Sequence, residues 1–145
     1  PRAARAGGID AARDKLVAAV AVLDNLLADY DGVVKRDGGD GVRKLLGVAA
    51  FEGVAASPLY GIRKTGFELA SVADDPDEFT TALEDFLSAL SRAEGNAYSS
   101  VFAGGSGDPK KNSPREMLAR AESDVKDARQ QAGRMLNALG AAIAS

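Results

Sequence analysis

The sequence predicts an all-α fold: an antiparallel up-down four-helix bundle with a long crossover between the first and second helices. Three observations predict it. Apolar residues recur at three- and four-residue steps through four stretches, the spacing that lines one face of a helix. Three helix starts carry an Asp or Ser cap followed by proline at the first helical position. No segment shows the strict apolar–polar alternation of a half-buried strand. The chain of 145 residues is long enough to bury one continuous core, and residues 1–145 are expected to form a single domain.

Helix one is expected over residues 10–31, behind a mobile amino-terminal arm at 1–8 that holds Arg2, Arg5, Gly7 and Gly8. Asp10 can cap it, and Leu16, Val20, Leu23, Leu27 and Tyr30 fall on one stripe that Leu26 widens. Gly32 is positioned to end the helix or bend it. Asp37–Ile62 then reads as an irregular crossover. Gly38, Gly39 and Gly41 tolerate positive φ, so regular helix is not expected around them. Val42–Leu46 is expected to make about one turn, closed by Gly47, with Phe51 and Val54 as buried rungs. Such a connection is long for a bundle, where roughly two to eight residues join neighbours.

Helix two is expected over 58–74, opened by Ser57 and Pro58, with Leu59, Ile62, Gly66, Leu69 and Ala73 inward. A glycine inside a helix costs about 1 kcal/mol against alanine, so Gly66 marks an expected close crossing. Helix three, over 76–103, opens on Asp75-Pro76-Asp77-Glu78, a capping box with proline at its first position. Its inward face is Phe79, Leu83, Phe86, Leu90, Ala93, Ala97 and Val101, with Leu87 and Phe102 flanking. Gly104–Pro109 is expected to be a flexible loop. Helix four, over 114–140, repeats the box as Ser113-Pro114-Arg115-Glu116. Met117, Ala121, Val125, Ala128, Ala132, Met135 or Leu136, and Leu139 are expected inward. Arg115, Arg120, Lys126, Arg129 and Arg134 lie outward, matched by Glu122, Asp124 and Asp127 at nearby positions.

Composition removes several function classes. There is no Cys and no His, which excludes thiolate and imidazole metal sites, Cys nucleophiles and Ser-His-Asp triads. The net charge of −3 argues against a general nucleic-acid binder, which needs a basic stripe. No apolar run approaches the roughly 20 residues that span a bilayer. Pro1 in place of an initiating Met favours removal of a targeting segment over a start within the chain.

Each candidate site then meets a plainer explanation. Gly39–Lys44 lacks the Gly-x-x-x-x-Gly-Lys-Ser/Thr spacing and the preceding strand of a phosphate loop, and Asp40 would repel phosphate. Asp29, Asp31, Asp37 and Asp40 supply oxygens that calcium favours, but without the order of an EF-hand loop. A di-iron bundle needs Glu-x-x-His pairs, and there is no His. Glutamates at helix starts and on outer faces are explained by capping and solubility. No catalytic residue, cofactor or metal is therefore expected, and the chain is not expected to be an enzyme.

The most distinctive blocks are Leu26–Asp31, Gly39–Gly47, Ser57–Ile62 and Ala93–Phe102, followed by a capped last helix. In order and character they resemble the small lumenal extrinsic subunit of photosystem II found in diatoms and related red-lineage algae, a four-helix bundle of PsbQ-like shape. The resemblance spans most of the chain and contains no catalytic motif. It implies a protein imported into the chloroplast and delivered to the thylakoid lumen. There it would be peripheral on the membrane face, with photosystem II core subunits and other extrinsic proteins as partners. It also implies that the protein shields and stabilises the oxygen-evolving manganese–calcium cluster without ligating it. A lumenal subunit of a photosystem I–antenna assembly and a free-standing helical adaptor or ligand-binding bundle are the alternatives. Arg43, Lys44, Tyr60, Lys110 and Lys111 are the docking candidates, chosen for expected exposure and loop position rather than from a family motif.

Overall fold

The capping signals translate directly into hydrogen bonds. The computed structural model describes residues 2–50, 56–103 and 113–140, with side chains from Gly8 onward. Among them are five helices and no strand: α1 (Arg2–Ala28), α2 (Tyr30–Leu46), α3 (Ile62–Ala70), α4 (Pro76–Phe102) and α5 (Pro114–Leu139). The Asp75 side chain accepts the Glu78 amide at 3.2 Å, and Ser113 Oγ accepts the Glu116 amide at 3.1 Å. Each cap satisfies an amide that the first helical turn leaves without a partner.

The antiparallel pair α4–α5 is the centre of the molecule. Phe79, Leu83, Phe86 and Leu90 bury one face of α4, and fully burying such side chains contributes about 1.5–3 kcal/mol each. The buried face of α5 is largely small (Ala121, Val125, Ala128 and Ala132), which lets its backbone lie close to its neighbours. Asp75 N–H donates to the Ala138 carbonyl at 3.0 Å, tying the start of α4 to the end of α5. Arg134 reaches Glu78 at 2.7 Å and Asp85 at 3.1 Å, while Arg92 reaches Asp124 at 3.2 Å and Asp127 at 2.8 Å. Arg129 crosses to Asp24 of α1 at 2.7 Å. The arginines of α5 were expected to be balanced along their own helix. Instead Arg129 and Arg134 pair across helix seams, because the antiparallel packing brings opposite charges closer than the helix does. At these exposures such pairs are screened by solvent and set register more than stability.

The first half of the chain departs from expectation. The stretch expected as an arm before helix one is part of α1 from Arg2 on, which runs through Gly7 and Gly8. Alanine-rich neighbours continue the backbone ladder across them, offsetting the glycine cost. Helix one breaks at Asp29, not at Gly32. Asp29 leaves helical geometry (φ −131°, ψ 31°), and the chain resumes at once as α2. The irregular crossover is therefore helical as far as Leu46. Only Gly38 (φ 61°, ψ −149°) breaks α2, whereas Gly39 and Gly41 are buried inside it. The turn closed by Gly47 is present as expected: Gly47 is left-handed at φ 62°, and its N–H donates to the Arg43 carbonyl at 2.9 Å. Phe51 and Val54 lie outside the described residues.

Helix two is shorter than expected. Ser57 accepts the Leu59 amide at 3.1 Å and donates to the Leu46 carbonyl at 2.8 Å, so it pins a turn to the end of α2. Left-handed Gly61 (φ 70°) then opens α3 at Ile62. The expected inward set is buried throughout. A Cβ on Gly66 would stand 2.8 Å from Leu83 Cδ2, with Cδ1 nearer still, so this glycine is where α3 crosses α4. On α4, Val101 is exposed rather than inward, and Ser100 beside it takes the buried position against Gly39.

Tyr30 shows how α2 is held to α5. Its buried hydroxyl donates to the Leu118 carbonyl. Burial, and after it the carboxylates of Glu122, Asp31 and Asp124, raises the phenol's pKa well above the usual tyrosine value. A raised folded-state pKa contributes stability that is complete below the unfolded value near pH 10 and lost as pH rises through the folded value. Tyr30→Phe is therefore expected to cost about 1 kcal/mol at neutral pH. The same variant should lose less stability than the wild type above about pH 10. Urea melts of both proteins across the alkaline range test this. Parallel alkaline slopes would show that Tyr30 does not ionise on unfolding.

Candidate docking surface

The carboxyl-terminal half of α2 lies along α4 because Gly39 permits it. A Cβ there would run into Ser100 Oγ and the Ala97 carbonyl oxygen. One turn later, Arg43 meets Glu94 at 2.6 Å and Asp40 at 3.7 Å, with its guanidinium 4.8 Å from the centre of the Tyr98 ring. Tyr98 packs against Phe102 with ring centres 5.1 Å apart. The cation therefore sits between a carboxylate and an aromatic face, in contacts that strengthen as water is excluded.

This placement corrects the premise for Arg43. It was a docking candidate for exposure on a loop, yet it lies in a helix with a side chain only 17% exposed. The pairing with Glu94 spans 51 residues and has no signal in the sequence. Lys44 is also helical but exposed. Tyr60 is exposed, and its carbonyl accepts from Lys15 Nζ at 2.7 Å, tying the α3 turn to α1. Lys110 and Lys111 lie outside the described residues. The structure thus brings Arg43 onto Tyr98 and leaves Lys44 and Tyr60 as separate surface groups.

Two surface regions were not singled out in the sequence. The end of α4 exposes Tyr98, Val101 and Phe102 beside Arg43. On α3, Phe67 is 57% exposed, and Arg63 and Lys64 are exposed one turn before it. Because α3 touches α4 at Gly66, an open furrow of about 450 Å³ runs beside that crossing, lined by Arg63, Phe67, Thr80, Leu87, Ser88 and Ser91. An adjoining hollow of about 210 Å³ continues it over Leu59, Ile62 and Leu90.

The acids once considered for calcium are partly engaged, Asp29 with Arg36 at 2.8 Å and Asp40 with Arg43. No group of three or more potential metal ligands occurs among the described residues, and none of their helices is long and apolar enough to cross a membrane. Comparison with protein-family models, curated proteins and solved structures found no match to this chain.

Proposed function

We propose that the chain is a non-catalytic extrinsic subunit on the lumenal side of photosystem II, in the thylakoid lumen of a chloroplast. There it stabilises and shields the oxygen-evolving complex alongside other extrinsic proteins. The observation that carries this reading is where the resembling blocks meet. Gly39–Gly47 and Ala93–Phe102 are separated in sequence, yet Gly39 seats on Ala97 and Ser100, and Arg43 binds Glu94 and covers Tyr98. Two of the blocks that carry the resemblance thus build one surface feature, which offers a partner a continuous face. In this reading α1 and α2 act as one bent helix, which with α3, α4 and α5 makes the four members of a PsbQ-like up-down bundle.

A peripheral subunit held by polar and charged contacts is released when those contacts are screened or titrated. A high-salt or alkaline wash of thylakoids is therefore expected to remove the protein without detergent, with oxygen evolution falling on removal and recovering on rebinding. Retention through both washes would overturn the peripheral assignment. Unchanged oxygen evolution with altered photosystem I antenna coupling would move the protein to the other photosystem. Fractionating native photosynthetic complexes and locating the chain by mass spectrometry decides between the two directly.

A further inference from the structure

Most of the described arginines are already engaged in ion pairs. Arg63 is not: among the described residues its side chain makes no ion pair or hydrogen bond, and neither does that of its neighbour Lys64. Arg63 also occupies a particular place, since it lines both the furrow beside Gly66 and the adjoining apolar hollow. Phe67, one helical turn on, leaves more than half its surface to solvent over the same furrow. The hydroxyls of Thr80 and Ser91 line it and have no partner among the described residues, while Ser88 is engaged by Arg92 at 2.9 Å. Leu87 supplies a half-buried apolar floor.

We propose that this α3–α4 furrow docks an acidic segment of a partner protein. An apolar side chain of that segment seats between Phe67 and Leu87, and a neighbouring carboxylate pairs with the Arg63 guanidinium. The chemistry is complementary at Arg63, at Phe67 with Leu87 and at the two hydroxyls. A planar guanidinium without a counter-ion favours a carboxylate in two-pronged geometry. An exposed aromatic ring beside a concave apolar floor is the form of an interface anchor. Two free hydroxyls offer hydrogen bonds to a partner's main chain. A protein segment fits better than an anionic membrane. The surface is concave, and Glu84 in the furrow and Glu68 on α3 would face the lipid charge. Glu84 makes no ion pair, so it opposes an acidic occupant and weakens its binding. The proposal goes beyond the photosystem II reading and does not depend on it, because it concerns any partner that presents such a segment.

The test uses the full chain, isotope-labelled, with a synthetic peptide that places leucine and phenylalanine among glutamates, and a second peptide with lysine for glutamate. Amide shifts confined to 62–70 and 80–92 with the acidic peptide alone support the proposal. Shifts elsewhere, or none at millimolar peptide, overturn it. Arg63→Glu and Phe67→Ala are each expected to weaken the acidic peptide by roughly tenfold. Glu84→Gln should tighten it by a few-fold, a gain that misfolding cannot produce. Co-sedimentation with phosphatidylglycerol vesicles that is lost in Arg63→Glu would overturn the protein partner in favour of lipid. Rebinding of the variants to salt-washed photosystem II membranes separates the two claims. If the wild-type chain fails to rebind, the photosystem II reading falls and the peptide result stands. If wild type and variants rebind equally while the peptide still maps to the furrow, the furrow serves another partner.

Discussion

Replacing Phe86 with alanine is expected to lower stability by about 3–5 kcal/mol, the largest loss from any single truncation considered for this chain. Phe86 has no exposed surface and sits at the middle of α4, the helix that packs on α5, α2 and α3. Truncation removes its transfer free energy and leaves a cavity that surrounding helices close only in part. Folded domains retain about 5–15 kcal/mol in total, so a large share of the margin is removed. For a domain of this size the midpoint of thermal unfolding should fall by on the order of 10 °C. Far-ultraviolet circular dichroism during heating and urea titration measures both. A fall of only a degree or two would mean that the core collapses around the site, and the packing described for α4 would need revision.

Gly39→Val is expected to be the next most damaging change, costing about 2–3 kcal/mol. Judged by helix propensity alone, replacing a glycine of α2 by valine gains roughly a few tenths of a kcal/mol. The tertiary contact reverses that sign. Ser100 can turn its hydroxyl aside, but the Ala97 carbonyl belongs to the backbone of α4 and cannot move, so α2 must lift. Lifting α2 separates Arg43 from Glu94 and from the Tyr98 ring. The chain has no Trp but three tyrosines, so the Tyr98 contribution to tyrosine emission is isolated by comparison with a Tyr98→Phe control. A lowered melting midpoint together with altered tyrosine emission is the expected pair of results. A stabilised variant with unchanged emission would show that α2 is not seated on α4 at this point.

Much of the fold was legible because local rules and tertiary demands agree. At Asp75 and Ser113 the cap, the proline and the glutamate three residues on are read from adjacent letters, and the hydrogen bonds follow. Gly66 was legible by its cost: a glycine in an apolar stripe implied a close crossing, and Leu83 occupies the space. Gly39 and Gly41 misled for the same reason in reverse. Their conformational freedom predicted a loop, yet only Gly38 uses it: Gly39 is seated on Ala97 and Ser100 of α4, and Gly41 packs on Val33 and Asp37 within α2. Composition could not distinguish a glycine kept for its backbone from one kept for its lack of a side chain.

The candidate site was less legible. Lys44 and Tyr60 are exposed as expected, but Arg43 is covered by Glu94 and Tyr98, which approach only once α2 lies on α4. Arg63 and Phe67 carry no motif, and their importance follows from a furrow formed by a short helix touching its neighbour at one glycine. By itself the sequence determined the all-α class, the capped helix starts at Asp75 and Ser113, most of the inward stripes and the closure at Gly47. These depend on contacts within a few residues and on periodicity. Only the tertiary structure decided the bend at Asp29, the helical course through Gly39 and Gly41, the partial burial of Arg43 and the accessibility of Arg63. At Gly39, Arg43 and Arg63 the physical reason is the same: packing or charge on α4, distant in sequence, outweighs local preferences of about 1 kcal/mol.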